Sequence, residues 1–413
     1  MSVVGSVIPA PAQRRDLGVG WIVGPYTDLL FFIGGALAGY ALFIMHVATT
    51  WNMMTVWLLW YVFLDAPHFF GTYSRTYLDR EEMRRRWPLL LGSLAWLFAG
   101  PVLLLISFAL YHSGSAQLAS YYKVPFVALF ALFGLWAYWH VVRQHYGILS
   151  LYKRKNHDVA APDQWVDRSL LYVGLLAPFL AFIVRHSETR SSLDSIGLLP
   201  ETKPGSKLWT WETWVLAVTA GAVGLTVLTF LIRQLWHWQH GAPVNLPKVL
   251  FLLAVIPLHA LVCYHPATLT ADIVVFSAFV TIFHDIQYHV LVWHYQRNRC
   301  HRPGVDGRRF GLAYWITRNV FFYMGCGILT GVAGWYLSCT LGVTMGCNPL
   351  VELHPNKVML IGSVTLETLF ASMVLSVSMH HYFVDQFIWR PSKDAELRKD
   401  LNLSADGVLR TAG

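Results

Sequence analysis

Histidine is the residue whose number and positions most strongly suggest chemistry in this chain. The sequence contains 18 histidines, several of them clustered with aspartate inside apolar segments. The clustered residues are Asp65, His68, His140, His145, His284, Asp285, His289, His294, His380, His381 and Asp385. Neutral imidazole and carboxylate groups are common transition-metal ligands. An ionisable side chain inside an apolar helix is costly, so each one is a functional candidate by default.

Three aspartates lie one helical turn from a histidine, where both side chains share a face. The pairs are Asp65 with His68, Asp285 with His289, and His381 with Asp385. In such a pair the carboxylate either binds a metal or accepts the imidazole N–H and so orients the ring. The spacing therefore predicts metal binding, or orientation of a metal-binding ring, for each of the three carboxylates.

Other histidine spacings do not suit one ion on one straight helix. His140 and His145 are five residues apart, which turns them about 140° from each other. They could serve two ions, one could support the other, or the helix could bulge locally. The same limit applies to His284, His289 and His294, and the adjacent His380 and His381 point about 100° apart.

The supply of histidines exceeds the four ligands of a single tetrahedral zinc site. Two ions use it better, and iron is the first choice because the surroundings are apolar and aromatic, and oxidising an unactivated C–H bond needs a strong oxidant. The predicted metal ligands are His68, His140, His145, His284, His289, His294, His380 and His381. The predicted catalytic or orienting residues are Asp65, Asp285, Asp385 and Arg143.

The remaining histidines have a simpler interpretation. His237 and His240 lie beside tryptophans and are expected in an interfacial belt. A scattered set is expected to be interfacial and partly solvated: His46, His112, His186, His259, His265 and His354. The basic stretch 80–86 is expected to be a solvated stop signal, with docking of an acidic electron carrier as the alternative.

Composition indicates that lipid is the solvent of this protein. Of its 413 residues, 55% are hydrophobic and only 13% are charged, against about 25% charged in soluble proteins. Such a composition excludes intrinsic disorder as well. Apolar stretches of about 20 residues predict an all-α, polytopic membrane helix bundle of about ten spans. They lie near residues 28–48, 52–72, 89–111, 124–150, 169–185, 211–235, 249–264, 270–296, 312–339 and 358–389.

The distribution of Lys and Arg predicts the orientation of these spans. With both termini in the cytoplasm, 25 of the 31 basic residues fall on the inner side. The predicted parts are a cytoplasmic segment 1–27, a transmembrane bundle 28–390 and a cytoplasmic tail 391–413. The protein is expected in the inner (plasma) membrane, with the histidine site facing the cytoplasm. Topology accounts for the net charge of +8, so nucleic acid is not an expected partner.

The spacings His140-x4-His145, His284-x4-His289 and His289-x4-His294 are those of histidine boxes. Together with His380-His381 they resemble the integral-membrane histidine-box oxygenases, namely fatty-acid desaturases and alkane, sterol or carotenoid hydroxylases. The resemblance implies a non-haem di-iron centre, O2 as co-substrate, a lipid-like substrate and a ferredoxin-type electron donor. A second comparison is with the bacterial membrane oxygenases that cleave β-carotene.

Three alternatives remain open at this stage. Histidine titrates near neutral pH and can relay protons, so a proton-coupled or divalent-metal transporter with a His/Asp relay is the main rival. Haem ligation and a purely structural role are the others. Separately, Cys339 and Cys347 could form a disulfide on the outer side.

Overall fold

The computed structural model describes residues 17–49, 51–194, 211–340, 359–361 and 364–403. Most of this part of the chain is helical. The helices of the first half are α1 (Pro25–Thr27), α2 (Ala36–Ala48), α3 (Met53–Trp60), α4 (Ala66–Arg75), α5 (Arg80–Arg85), α6 (Trp87–Ser93), α7 (Ala99–Tyr111), α8 (Ala116–Ser120) and α9 (Val124–Lys155). Those of the second half are α10 (Ala161–Arg185), α11 (Ser187–Asp194), α12 (Trp211–Gln239), α13 (Leu246–Tyr264), α14 (Ile273–Cys300), α15 (Leu312–Ile316), α16 (Val320–Thr340), α17 (Leu366–Ile388) and α18 (Ala395–Asp400).

Four very short strands complete the described chain. Strand β1 (Leu17–Gly18) pairs in parallel with β2 (Val244–Asn245), with Leu17 opposite Val244. Strand β3 (Met359–Ile361) pairs antiparallel with β4 (Val364–Thr365), just before α17. These contacts tie segments that flank the helices, so the helices carry the fold.

Eight helical segments of the described chain are long and apolar enough to cross a membrane. They are Pro25–Ala48, Met53–Arg75, Trp87–Tyr111, Ala161–Arg185, Glu212–Gln239, Leu246–Tyr264, Val275–Cys300 and Val320–Leu337. The prediction of an all-α helical bundle with apolar helices of membrane-spanning length is confirmed. Two further long helices lie at predicted spans: α9 covers 124–150, and α17 covers residues 366–388 of the span 358–389.

Helix α12 has the surface expected beside lipid. Val218, Leu225 and Ile232 recur every seven residues and are 65%, 65% and 59% exposed. A soluble protein rarely leaves such a continuous apolar stripe uncovered. The opposite side of α12 packs on α10, which leaves the stripe for the hydrocarbon.

A wide π-helical turn, Tyr61–Asp65, joins α3 to α4 within one predicted span. Pro67 follows it, and a proline inside a helix removes one backbone donor and clashes with the preceding turn. The wider turn gives the ring room, and such turns are frequent at functional sites. The turn ends three residues before His68, which lies in the first turn of α4.

Glycines let the helices around this region approach closely. A Cβ at Gly100 of α7 would lie 2.1 Å from the Ser372 carbonyl oxygen of α17. The Gly100 amide N–H also donates to the Ser376 hydroxyl, at 2.8 Å. Small residues at helix contacts are typical of membrane bundles, where close van der Waals approach replaces the hydrophobic effect between helices.

The basic stretch 80–86 is less solvated than the sequence predicts. Glu82 is fully buried, and Arg85 and Arg86 both pair with it and with Asp394, at 2.5 to 2.8 Å. Burial opposes ionisation of Glu82, but Arg75 and three other arginines outweigh it and lower the pKa of this carboxyl. The stretch therefore clamps α5 to the segment before α18.

Candidate metal centre

Helices α4, α9, α14 and α17 bring four of the predicted histidines together. The ring centroid of His68 lies 4.6 Å from that of His284, 4.7 Å from His381 and 6.0 Å from His140. His140 is in turn 4.9 Å from His381 and 5.2 Å from His284. All four side chains are buried, with at most 3% of their surface exposed.

Two groups of side chains place their ligand atoms close enough to hold a metal ion. In the first, atoms of His68, His140, His381 and Asp385 all lie within 4.8 Å of one another. In the second, the same holds for His68, His284 and Asp285. We call these residues together the histidine cluster. They join four helices that are far apart in sequence.

Asp285 fixes the protonation of His68. Its Oδ1 lies 2.7 Å from His68 Nδ1, and its Oδ2 accepts the Trp60 indole N–H at 2.8 Å. With Asp285 ionised, the imidazole N–H is on Nδ1, which leaves a lone pair on Nε2. That Nε2 is buried and has no hydrogen-bond partner. A carboxylate that orients an imidazole in this way is typical of metal ligands.

His289 shows the same arrangement with a backbone acceptor. Its Nε2 donates to the Leu64 carbonyl at 3.0 Å, at the π-helical turn. Its Nδ1 therefore carries a lone pair, and this atom too is buried without a partner. The His289 ring centroid is 6.5 Å from that of His68. His289 thus lies beside the cluster with an unpaired nitrogen lone pair that could bind a metal.

Asp385 is held by hydroxyl and amide donors. It accepts from Thr72 at 2.7 Å, from Tyr288 at 3.0 Å and from the Gln144 amide at 2.8 Å. The Gln144 amide nitrogen also contacts His140 Nε2 at 3.0 Å. A metal on that His140 nitrogen would take the place of the Gln144 hydrogen bond.

Four predicted site residues make their contacts elsewhere. His380 points to Tyr77 and Ser93, at 2.9 and 3.0 Å, so its neighbour His381 alone enters the cluster. His294 contacts the Asn298 amide. Arg143 is exposed and donates to Tyr172. Asp65 is half-buried beside Asp285 and makes no hydrogen bond among the described residues.

The sequence interpretation of His259 was wrong. It is fully buried rather than partly solvated, and its ring centroid lies 5.5 Å from that of His145. His186 is fully buried as well, bonded to the Ala271 carbonyl. The nearest signal in the sequence is Pro257, two residues before His259, because a proline inside a helix often marks a kink. His354 and Cys347 lie outside the described residues.

The donor atoms and the distances suit metal ions. With an imidazole nitrogen about 2.1 Å from a metal, two rings on one ion have centroids about 4.5 to 6.4 Å apart. The spacings within the cluster fall in this range. Buried polar atoms are nearly always paired, yet ring nitrogens of His68, His145, His284, His289 and His381 have no partner. His186 also has a buried, unpaired ring nitrogen. A single atom of this kind therefore does not indicate a metal site, whereas several close together do.

Comparisons with protein-family models, curated proteins and solved structures found no match to this chain. The resemblance to histidine-box oxygenases therefore stays a prediction from motif spacing.

Proposed function

We propose that this chain is a membrane-embedded metalloenzyme whose histidine cluster holds redox-active metal, with two iron ions as the first choice. When bound, iron would supply O2 activation to hydroxylate, desaturate or cleave a lipid-like substrate. One observation carries the proposal. His68 and His289 each have one N–H fixed on a protein acceptor and a buried, unpaired lone pair on the other nitrogen.

The ligand types favour a redox metal over a hard cation. Imidazole suits iron, zinc and copper, whereas magnesium and calcium prefer oxygen ligands. Both donor groups are dominated by histidine, with one carboxylate each. Iron is preferred to zinc because a Lewis acid alone does not break the unactivated C–H bonds of a hydrocarbon chain.

The cluster's surroundings suit chemistry that must exclude water. Tyr288 packs on His68 with a centroid distance of 4.3 Å, and Tyr382 on His140 at 4.8 Å. Phe69 covers His381 at 4.7 Å. Aromatic walls and buried ligands keep water from a reactive centre.

Each polar residue around the ligands has a definite task. Asp285 keeps the His68 proton on Nδ1. Thr72, Tyr288 and Gln144 hold Asp385 as an acceptor directed at the ligands. The residues thus keep the lone pairs directed to one region before any metal binds, which lowers the cost of binding.

We also propose that the chain has a lipid-like substrate and a ferredoxin-type electron donor. We further propose that it spans the inner (plasma) membrane ten times, with both termini in the cytoplasm. The distribution of basic residues supports this orientation. Impermeant thiol labelling of S113C and S392C in intact cells tests it. We expect labelling of S113C above that of the unaltered chain, because the exposed loop after α7 lies on the outer side in this orientation, and no added labelling of S392C, which lies inside. Labelling of S392C, or its absence at S113C, contradicts the orientation.

The proposed activity is tested with purified protein loaded anaerobically with ferrous iron. With lipid extract and a chemical reductant, we expect O2 uptake and an oxidised lipid detected by mass spectrometry. H289A should lose both, whereas H240A, altered at an exposed histidine, should retain them. Absence of oxidation, together with metal-dependent uptake into sealed proteoliposomes, would instead support the transporter.

A further inference from the structure

Tyr288 of α14 contacts the histidine cluster on two sides. Its ring centroid lies 4.3 Å from that of His68. Its hydroxyl donates to the Asp385 carboxylate at 3.0 Å. The side chain is buried, with only 1% of its surface exposed. Tyr288 therefore has a candidate metal ligand beside its ring and an acceptor for its phenol proton.

Trp389 connects Tyr288 to the end of the helix bundle. It directly follows Ile388, the last residue of α17, and it is partly exposed. Its indole N–H donates to the Tyr288 hydroxyl oxygen at 3.4 Å, and the two ring centroids are 5.9 Å apart. A tryptophan of an interfacial belt has its polar edge at the level of the headgroups. Here that edge is directed inward, to a residue that contacts the cluster.

A buried cation lies against Trp389. The guanidinium carbon of Arg75 is 3.5 Å from the Trp389 ring centroid and 4.2 Å from that of Tyr295. Arg75 is fully buried and donates to the Ile388 carbonyl, but its Nε and Nη1 atoms have no hydrogen-bond partner. A positive charge so close to the indole opposes a second one there. An oxidised Trp389 would therefore release its N–H proton and become a neutral radical.

We infer that Tyr288 and Trp389 form a route by which oxidising equivalents leave the metal centre when no substrate is bound. The inference rests on the proposed function, because only a strongly oxidising centre takes electrons from tyrosine. A reactive centre without substrate is prone to side reactions, here with its own buried ligands. The route would move the oxidation to a partly exposed residue, where a reductant can repair it.

The first two steps of the proposed transfer follow observed hydrogen bonds. Tyr288 loses one electron to the oxidised centre and its phenol proton to Asp385. Trp389 then supplies a hydrogen atom, which is an electron with the indole proton, to the Tyr288 oxygen. Tyr288 is restored, and Trp389 becomes a neutral radical. A small cytoplasmic thiol returns a hydrogen atom to Trp389, and two thiyl radicals from two such cycles combine as a disulfide.

A second tyrosine–tryptophan pair provides a comparison within the same protein. The Tyr323 ring centroid lies 6.4 Å from that of His289 and 5.8 Å from that of Trp293. This pair also links a histidine to a partly exposed tryptophan. The Tyr323 hydroxyl, however, is buried without a hydrogen-bond partner. Its proton has no acceptor, so we expect Trp293 not to be oxidised.

The test detects the radical itself rather than turnover. Protein loaded anaerobically with ferrous iron is mixed with O2 without lipid, reductant or thiol, then frozen for electron paramagnetic resonance. We expect an organic radical whose spectrum narrows when the protein carries ring-deuterated tryptophan. Peptide mass spectrometry of the same sample should find added oxygen at Trp389 and none at Trp293. Glutathione present from the start should remove both signals, and metal-free protein should show neither.

Three variants test the order of the transfer. Y288F should lose both the tryptophan radical and the oxidation at Trp389, because no phenol connects the indole to the cluster. W389F should lose the tryptophan radical and leave a longer-lived tyrosine radical, which ring-deuterated tyrosine identifies. W293F is the matched control, because Trp293 is also partly exposed but contacts Tyr323 instead of Tyr288. It should give the wild-type spectrum.

The outcomes separate this inference from the proposed function. If wild type binds iron and consumes O2 but forms no tryptophan radical, the route is contradicted while the proposed centre stands. Oxidation of Trp293 as strong as that of Trp389 contradicts it equally. If wild type binds no iron, both proposals fail. If a variant does not fold, the deuterated wild-type protein and its peptide map decide.

Discussion

The acceptors of individual imidazole protons determine which nitrogens can bind metal. Asp285 and the Leu64 carbonyl each accept a hydrogen bond from a different histidine. The remaining lone pairs are on His68 Nε2 and His289 Nδ1, and both of these atoms are buried and unpaired. A bound metal would give such a nitrogen a partner. At this scale the polar partners matter as much as the ligands themselves.

D285N should weaken metal binding, by about 10–100-fold. An asparagine can turn its amide N–H toward His68. In that orientation residue 285 no longer accepts a hydrogen bond from His68 Nδ1 and no longer fixes the proton on this nitrogen. Titration with ferrous iron under anaerobic conditions measures the change. D163N is the matched control, because Asp163 is also buried and pairs with His237 at 2.7 Å, but it contacts no residue of the cluster. Equal affinities in D285N and wild type would contradict the orienting role.

The sequence could indicate which residues are chemical but not all of their partners. Helical spacing pairs Asp285 with His289, yet the observed partner of Asp285 is His68 of another helix. His380 and His381 are adjacent on α17 and point in different directions. Their spacing predicts that one of them enters the site, but it does not indicate which one. His259 stands alone in its helix, so its partner His145 becomes visible only when α9 and α13 are packed.

Helix contacts explain how polar residues from distant segments meet. The π-helical turn before Pro67 and the close contact at Gly100 bring α4, α7 and α17 into place. The apolar pattern predicted these helices, because a span needs about 20 apolar residues. It could not predict the wide turn, since the turn depends on how α3 and α4 pack against their neighbours.

G100A should destabilise the protein by about 1–3 kcal/mol, the usual cost of inserting volume into a filled interface. The added Cβ would lie 2.1 Å from the Ser372 carbonyl oxygen, so α7 and α17 must separate. Thermal unfolding in detergent measures the loss.

G221A provides the control for this substitution, because a Cβ at Gly221 of α12 meets nothing within 4 Å. Alanine in a helix interior is favoured over glycine by about 1 kcal/mol, so this variant should be as stable as wild type or more so. A G100A midpoint at or above that of wild type would show that α7 and α17 do not approach as described.

The whole molecule combines a lipid-facing surface, a buried polar centre and a clamp of ion pairs outside the membrane-spanning segments. The clamp joins α5 to the segment before α18 through Glu82 and Asp394. Burial opposes ionisation of Asp394, but hydrogen bonds and charge from Arg85 and its neighbours dominate and lower its pKa. The pKa of Glu82 is lowered as well.

These lowered pKa values predict acid lability. A carboxyl whose folded pKa lies below its unfolded value, about 4, contributes stability that is complete above that value and is lost as the pH falls through the folded pKa. Thermal midpoints should therefore drop below about pH 4. E82Q and D394N should lower the midpoint at pH 7 and flatten its acid dependence, whereas E396Q, at an exposed position, should do neither. An unchanged acid profile in both variants would contradict the clamp.

Metal content per chain tests the proposed centre most directly. Protein purified in mild detergent and loaded anaerobically with ferrous iron should contain about two irons per chain by mass spectrometry, since its histidines exceed one tetrahedral ligand set. H68A should lose iron, and H186A should keep it. A wild-type protein that binds no metal under these conditions would contradict the metalloenzyme and leave the proton-coupled transporter as the better explanation of the buried histidines.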